Sequence, residues 1–349
     1  MHKFDYRWTL ADANFTKDKG KVFSCFACGG GSSMGYKLAG FDVIGCNEID
    51  NRMMYIYCQN HNPKFPFLEP IQTFKERTDL PPELFNLDIL DGSPPCSTFS
   101  MAGSREDAWG KMKHFREGQA EQVLDTLFFD FIELAKRLQP KVVVAENVKG
   151  LMLGNAKEYV RRIFQGFEDA GYYCQHWLLD AQNMGVPQKR ERVFFVCLRK
   201  DLIDHVPVQY NLFYMMPYLN LSFNEPHITC EDAGLELGDE ITTKCYIEEY
   251  DRLQRGEKNK YFQCALVQKT DVHPTLLAGY SDKASPMPKW ERRWLSTSDI
   301  CKVSSFPQDY NFCGQKPHYV CGMSVPPIMM AQVASRIYEQ WLSKINGLM

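Results

Sequence analysis

Residues Val22 to Gly35 read VFSCFACGGGSSMG, an apolar run that enters three successive glycines and then a stretch with helical spacing. Such a strand, glycine turn and helix opens a parallel βα unit. Glycines at that turn let a ligand approach the backbone and leave N–H groups bare at a helix N-terminus. Working outward, the next apolar run ends in Asn47-Glu48-Ile49-Asp50, two acids at the end of a second strand. A carboxylate there can accept hydrogen bonds from ribose hydroxyls. Turn and acids together point to an adenosine-bearing cofactor without distinguishing a dinucleotide from S-adenosylmethionine.

The same alternation continues to about residue 200. Strands are expected at Val22–Phe26, Phe41–Asn47, Leu87–Leu90, Val142–Ala145, Tyr172–Leu178 and Val193–Leu198. Helices are expected at Ser33–Ala39, Arg52–Asn60, Gln119–Leu138 and Lys157–Asp169, the third stopping before Pro140. This predicts an α/β fold with a doubly wound parallel sheet. From Asp201 the rhythm breaks into irregular aromatic and polar sequence with an acidic run from Glu231 to Glu240, and the periodicity of a helix returns at Ile328–Ile345. We therefore expect residues 1–200, completed by 318–349, to form a large domain. Residues 201–317 form a smaller one, divided near residue 272.

The 349 residues are 44 % hydrophobic and 24 % charged, an ordinary soluble composition without a run long enough to span a bilayer. The polar Met1–Gly20 segment lacks the features of a signal peptide, so a cytoplasmic, non-membrane protein is expected. Thirteen cysteines, an odd number scattered through apolar runs, read as reduced thiols; Cys25 and Cys28 form a single CxxC with no second pair, and no metal is expected. The net charge of −3 carries no general sign of nucleic-acid binding. Basic residues do cluster locally at Lys111, Lys113, His114 and Arg116, at Arg252, Arg255, Lys258 and Lys260, and at Lys289, Arg292 and Arg293.

Three further segments carry chemistry. LDILDGSPPCSTFS (residues 87–100) sets Cys96 behind two prolines at the carboxyl end of a strand, where ligands of such sheets bind. VVVAENV (142–148) ends a fully apolar strand in Glu146 and Asn147, and a carboxylate there is costly without a partner or a job. In GVPQKRERVFFV (185–196), Gln188, Arg190 and Arg192 recur at spacing two, which places them on one face.

In this order, FACGGGSSMG, NEID, PPCSTFS, ENV, QKRER and finally GMSVPP (322–327) resemble the DNA cytosine carbon-5 methyltransferase family. The likeness covers almost the whole chain except about residues 201–272, the place of that family's target-recognition region. LSTSDICKVSSFPQDY (295–310) is similar to the family's link between lobes. The resemblance implies S-adenosylmethionine as methyl donor, S-adenosylhomocysteine as product, duplex DNA as partner and a flipped-out cytosine as target. For the catalytic set it implies Cys96 as nucleophile, Glu146 against the cytosine ring, Arg190 supporting the site and Arg192 reaching the base and nearby backbone. Phe26, Ala27, Gly30, Gly31, Glu48, Ile49, Pro95 and Ser324 would line the cofactor. Ser97, Ser100, Gln188, Arg252 and Arg255 would contact DNA. The protein would act as a monomer, with a restriction endonuclease as a separately acting partner, and would associate with the nucleoid in a prokaryote. The chain departs from the family pattern at Ser24, where an Asp is usual, at Cys28 in place of the first glycine, at Pro70 and at Met323. Two rival readings stand beside this one. A transfer-RNA methyltransferase of the same family would carry a Cys-Phe-Thr in its recognition region, which this chain lacks. A catalytically silent relative would not be expected to keep Cys96, Glu146, Arg190 and Arg192 together.

Overall fold

The computed structural model describes residues 2–95, 126–152, 157–210, 215–260, 264–278 and 286–347. Cys96, Ser97, Ser100 and the first part of the helix expected from Gln119 lie outside the described residues. A mixed α/β fold surrounds a seven-stranded sheet of order β3-β2-β1-β4-β5-β7-β6. Its strands are β1 (Lys21–Cys25), β2 (Asp42–Glu48), β3 (Phe65–Leu68), β4 (Ile89–Gly92), β5 (Val142–Val148), β6 (Tyr172–Asp180) and β7 (Glu191–Arg199). The order reverses between β1 and β4, and there the two strand ends open the crevice in which such sheets bind ligands.

Two features depart from expectation. β7 runs antiparallel to both β5 and β6, so the sheet is mixed. The connection from β6 through Gly185 is too short for a crossover helix, and a short link joins antiparallel neighbours. β3, unexpected from sequence, is an edge strand containing Pro66, and proline is tolerated only at such an edge.

Helices α1 (Gly31–Leu38), α2 (Asn51–His61), α3 (Ile71–Phe74), α4 (Leu127–Leu138) and α5 (Lys157–Asp169) cross between strands. One apolar cluster fills the side of the sheet that faces α4 and α5. The other side packs α1 against α9 (Pro327–Ile337), which follows α8 (Pro317–Met323) and runs through a π turn at Tyr338–Leu342 into α10 (Ser343–Asn346).

This second core reaches past residue 201. Leu202, Ile203, Leu219, Leu221, Ile228 and Ala233 share one cluster with Val22, Val144, Val196 and Ile337. A distinct small cluster begins only later, where Ile241, Tyr250, Cys264, Met287 and Trp294 gather around α6 (Lys244–Gln254) and the β10 (Leu266–Val267) and β11 (Met287–Pro288) pair. The short hairpin of β8 (Val208–Tyr210) and β9 (Met215–Pro217) lies on the large core through Val208 and Met215. α7 (Thr297–Ser304), closed by a capping box between Ser296 and Asp299, leads the chain back.

Candidate functional site

The glycine turn leaves β1 with its backbone forced into the left-handed region at two residues that are not glycine, Phe26 at φ 53° and Cys28 at φ 48°. Such positions cost free energy and persist where the surroundings over-determine them. Here the surroundings are visible: Ala27 N–H donates to Asn47 O, Cys28 N–H to Glu48 Oε2 at 2.7 Å, and Gly30 N–H to Ala27 O at 2.8 Å. Gly30, at φ 83°, then serves as N-cap of α1, which carries neither a capping side chain nor an acid in its first turn. The side on which each glycine lacks a Cβ faces protein. A Cβ on Gly29 would meet Val320, on Gly30 the buried His61 ring, and on Gly31 the Val325 carbonyl and Ser324. The glycines are thus demanded by close packing from behind.

Glu48 ends β2, buried, with Oε1 accepting from Ile49 N–H at 2.8 Å and Asp50 N–H at 2.9 Å. Burial pushes its carboxyl up, against the pull of these amides. Asp50, the second acid noted in the sequence, is a helix cap: its Oδ1 accepts from Arg52 N–H at 2.8 Å at the start of α2. The register sets Leu68, 51 % exposed at the end of β3, opposite Glu48. A bare helix N-terminus, a strand-end carboxylate and an exposed apolar side chain beside it form a donor set suited to an amino-acid carboxylate, a ribose and a purine face respectively. The residues therefore fit an adenosine-bearing amino acid such as S-adenosylmethionine. Phe26 and Ile49, both half-buried, and Ala27, buried, lie in these two strand-end turns.

Beyond the reversal point, β5 ends in Glu146 and Asn147. Asn147 Nδ2 donates to Pro94 O at 3.1 Å and so holds the proline pair that precedes Cys96 in the chain; Pro95 is the last described residue before it. Glu146 Oε1 is ion-paired with Arg192 Nε at 2.9 Å, the two side chains only 10 % and 15 % exposed. Arg192 Nη1 also donates to Glu191 O at 2.8 Å. The pairing of β5 with antiparallel β7 brings them together, since Val148 lies opposite Arg192 and Glu146 opposite Phe194. Desolvation pulls the Arg192 guanidinium down, and Glu146 opposes it.

Gln188 and Arg190 do not join that face. Gln188 is 1 % exposed; its Nε2 donates to Val303 O at 3.0 Å and its Oε1 accepts from Leu276 N–H at 3.2 Å. Both ends of its amide are used inside the protein. Arg190, 2 % exposed, donates to Leu276 O at 3.0 Å, Gly322 O at 2.8 Å and Ser324 O at 2.9 Å. Its guanidinium ties β7's entry to Leu276 and to the 322–324 segment. Ser324 follows the same pattern: its hydroxyl donates to Val320 O at 2.7 Å, and it backs the glycine turn at Gly31. Arg252, half-buried, and Arg255, exposed, sit at the end of α6 beside the buried Glu249 and the exposed Glu257 respectively.

One residue escaped the sequence reading. Asp91, the third residue of β4, is 1 % exposed and accepts hydroxyls from Ser24 and Tyr36. The signal was present as an acid inside a hydrophobic strand, but its neighbour Cys96 drew the interpretation instead.

The family described as C-5 cytosine-specific DNA methylase matches residues 20–339. The Type II methyltransferase M.FnuDI of Fusobacterium nucleatum is 37 % identical over 185 residues, 52 % of this chain and 48 % of that protein. This match thus spans about half the length of that relative. M.Bsp6I, a Type II methyltransferase of a Bacillus species, is 26 % identical over 92 % of this chain and 99 % of its own length. Among solved structures, the Dnmt2 methyltransferase of S. pombe shares the fold, with a TM-score of 0.63 at 14 % identity over 92 % of this chain and 98 % of that one.

Proposed function

Because the chain belongs to the C-5 cytosine-specific DNA methylase family, we propose that it transfers a methyl group to carbon 5 of a flipped-out cytosine in a specific duplex DNA sequence. The observation that carries this reading is the Glu146–Arg192 pair at the carboxyl end of β5, one residue from the Asn147 amide that grips Pro94.

Carbon 5 of cytosine is a weak nucleophile until a group adds to carbon 6. In this reading the Cys96 thiolate forms that bond, a role to which sulfur is suited once its proton is lost. Electron density moves toward N3 of the ring, where Glu146 in its acid form donates a hydrogen bond while Arg192 holds its other oxygen in place. When bound, S-adenosylmethionine would supply the methyl group for carbon 5, with S-adenosylhomocysteine as the leaving product. The glycine turn and α1 would hold the amino-acid end of that cofactor, Glu48 the ribose, and Ile49 and Leu68 the adenine. Loss of the carbon-5 proton to a base then breaks the sulfur–carbon bond and restores the ring. A base inside a duplex is out of reach, so extrusion precedes all of this, at a cost of a few kcal/mol recovered in the pocket. Arg252 and Arg255 are offered as DNA contacts. The Type II names of M.FnuDI and M.Bsp6I support a setting beside a separate restriction endonuclease.

Transfer of labelled methyl groups to duplex DNA and to transfer RNA tests the substrate, with methylated carbon 5 expected in DNA alone. Duplex DNA carrying 5-fluorocytosine should trap the wild-type protein covalently, and Cys96→Ala should abolish trapping while keeping DNA binding. Labelling of transfer RNA but not DNA, or an undiminished adduct in Cys96→Ala, would overturn the proposal.

A further inference from the structure

Among the buried carboxylates the reaction above does not use, Asp91 lies nearest to its two halves, its own strand leading to the Pro94–Pro95 segment and its partners standing on β1 and α1. Asp91 Oδ2 accepts the Ser24 hydroxyl at 2.8 Å and Oδ1 the Tyr36 hydroxyl at 3.2 Å, and Ser32 hydrogen-bonds it as well. Ser24 is its register partner on β1. Ser32 and Tyr36 stand one turn apart on the buried face of α1, Ser32 within the first turn that follows the glycines. Burying a carboxylate is costly, and desolvation pushes Asp91 up to about 7, with Glu146 acting in the same direction and the hydroxyls against it. An apolar side chain would pack β1, β4 and α1 together without that cost. What the carboxylate adds is a directed link between the cofactor side and the cytosine side of the crevice.

We propose that Asp91 is a positioning residue for methyl transfer: by accepting hydroxyls from β1 and α1 at once, it fixes the first turn of α1 to the strand that leads into the Pro94–Pro95 segment. This rests on the reading that the glycine turn holds S-adenosylmethionine. As a carboxylate Asp91 accepts from all its hydroxyl partners; as an acid it must donate to one of them and reverse that bond. The seating of α1 therefore answers to a single proton. The titratable groups facing Asp91 are Cys25 of β1, Tyr36 of α1, Tyr57 of α2 and Glu146 of β5, the last paired with Arg192 of β7. Cys25, Tyr36 and Tyr57 are all pushed upward by burial and stay neutral.

The test measures S-adenosylmethionine affinity by calorimetry from pH 6 to pH 8, together with thermal melts of each variant without cofactor. Asp91→Asn offers one acceptor oxygen in place of two, so its affinity at pH 8 should fall about tenfold, and the one-proton step in wild-type affinity near neutrality should vanish. Moving the carboxylate across the register in Ser24→Asp/Asp91→Ser should restore affinity to within about threefold of wild type. Should Asp91→Asn not fold, Ser24→Ala removes one donor and should weaken binding about threefold. Wild-type affinity with an unchanged pH step in Asp91→Asn, no recovery in the exchanged pair, or no effect of Ser24→Ala overturns the inference. Failure of the wild-type protein to bind S-adenosylmethionine at any pH would instead overturn the reading of the site on which it rests.

Discussion

Cys28 shows at the scale of one residue how a local rule yields to its surroundings. At φ 48° it occupies a conformation that glycine adopts without strain, held there by Glu48 on its N–H. Cys28→Gly should change stability by no more than about 1 kcal/mol, relief of strain offsetting the freer unfolded chain, while β-branched Cys28→Val should lose about 1 to 3 kcal/mol; urea unfolding decides. Arg190 is the opposite case, a charged group whose bonds all go to carbonyls, so Arg190→Ala should cost about 3 kcal/mol or more by the same measurement. His273, fully buried beside His318, has its pKa pushed by desolvation down to about 4, and its Nδ1 lies against Pro274 O. Unfolded, it would take a proton near 6.5; folded, it resists until about 4, so its share of stability is complete above the higher value and drains away as pH falls through that window. Asp91, raised rather than lowered, acts with the opposite sign, favouring the fold as pH falls from about 7. The sensitive comparison is therefore between variant and wild type: His273→Gln should gain about 2 kcal/mol relative to wild type on moving from pH 7 to pH 5. Parallel stability profiles for the two proteins would show that His273 does not titrate as its surroundings dictate.

Elements meet where side chains are missing. Gly35 in the middle of α1 lies so close to α9 that a Cβ would run into the Pro327 carbonyl and Met330. Alanine there raises intrinsic helix propensity by about 1 kcal/mol, yet it must force two backbones apart. Gly35→Ala should therefore destabilise by about 1 to 3 kcal/mol despite its better propensity, and a stabilised variant would show that α9 yields freely. The sequence showed both helices through their spacing, but not that they touch. Ser33–Ala39 and Ile328–Ile345 are separated by most of the chain, and nothing local in either marks its partner. Likewise the two-residue spacing of Gln188, Arg190 and Arg192 suggested one face. The strand starts only at Glu191, so the alternation that would have aligned them does not extend back to Gln188.

At the scale of the whole molecule, the segment beyond residue 200 divides by burial. Leu221, within the large core, should behave as core, Leu221→Ala costing about 2 to 5 kcal/mol. Arg255, exposed at the end of α6, should leave stability nearly untouched when replaced by Ala, whereas Arg252→Ala, which takes an ion-pair partner from the buried Glu249, should cost about 1 to 3 kcal/mol. If they contact DNA as proposed, a base-reading arginine loses about 1 to 3 kcal/mol of discrimination at one position of the site, whereas a phosphate contact weakens binding to all sequences alike. Binding titrations on a panel of duplexes separate the two, and undiminished binding by both variants would remove α6 from the DNA surface. The amino-acid sequence alone determined the α/β rhythm to residue 200, the glycine turn, the acids at strand ends and the family likeness, because these are written in neighbouring residues: apolar runs, turn chemistry and short motifs. Tertiary structure alone decided that β7 runs antiparallel, that Arg192 pairs with Glu146 while Gln188 and Arg190 turn inward, and that Asp91 finds its hydroxyls on β1 and α1. Each of these depends on which distant segment supplies the partner for a buried polar group, and such a partner is settled by the packing of the whole chain and not by the residues on either side.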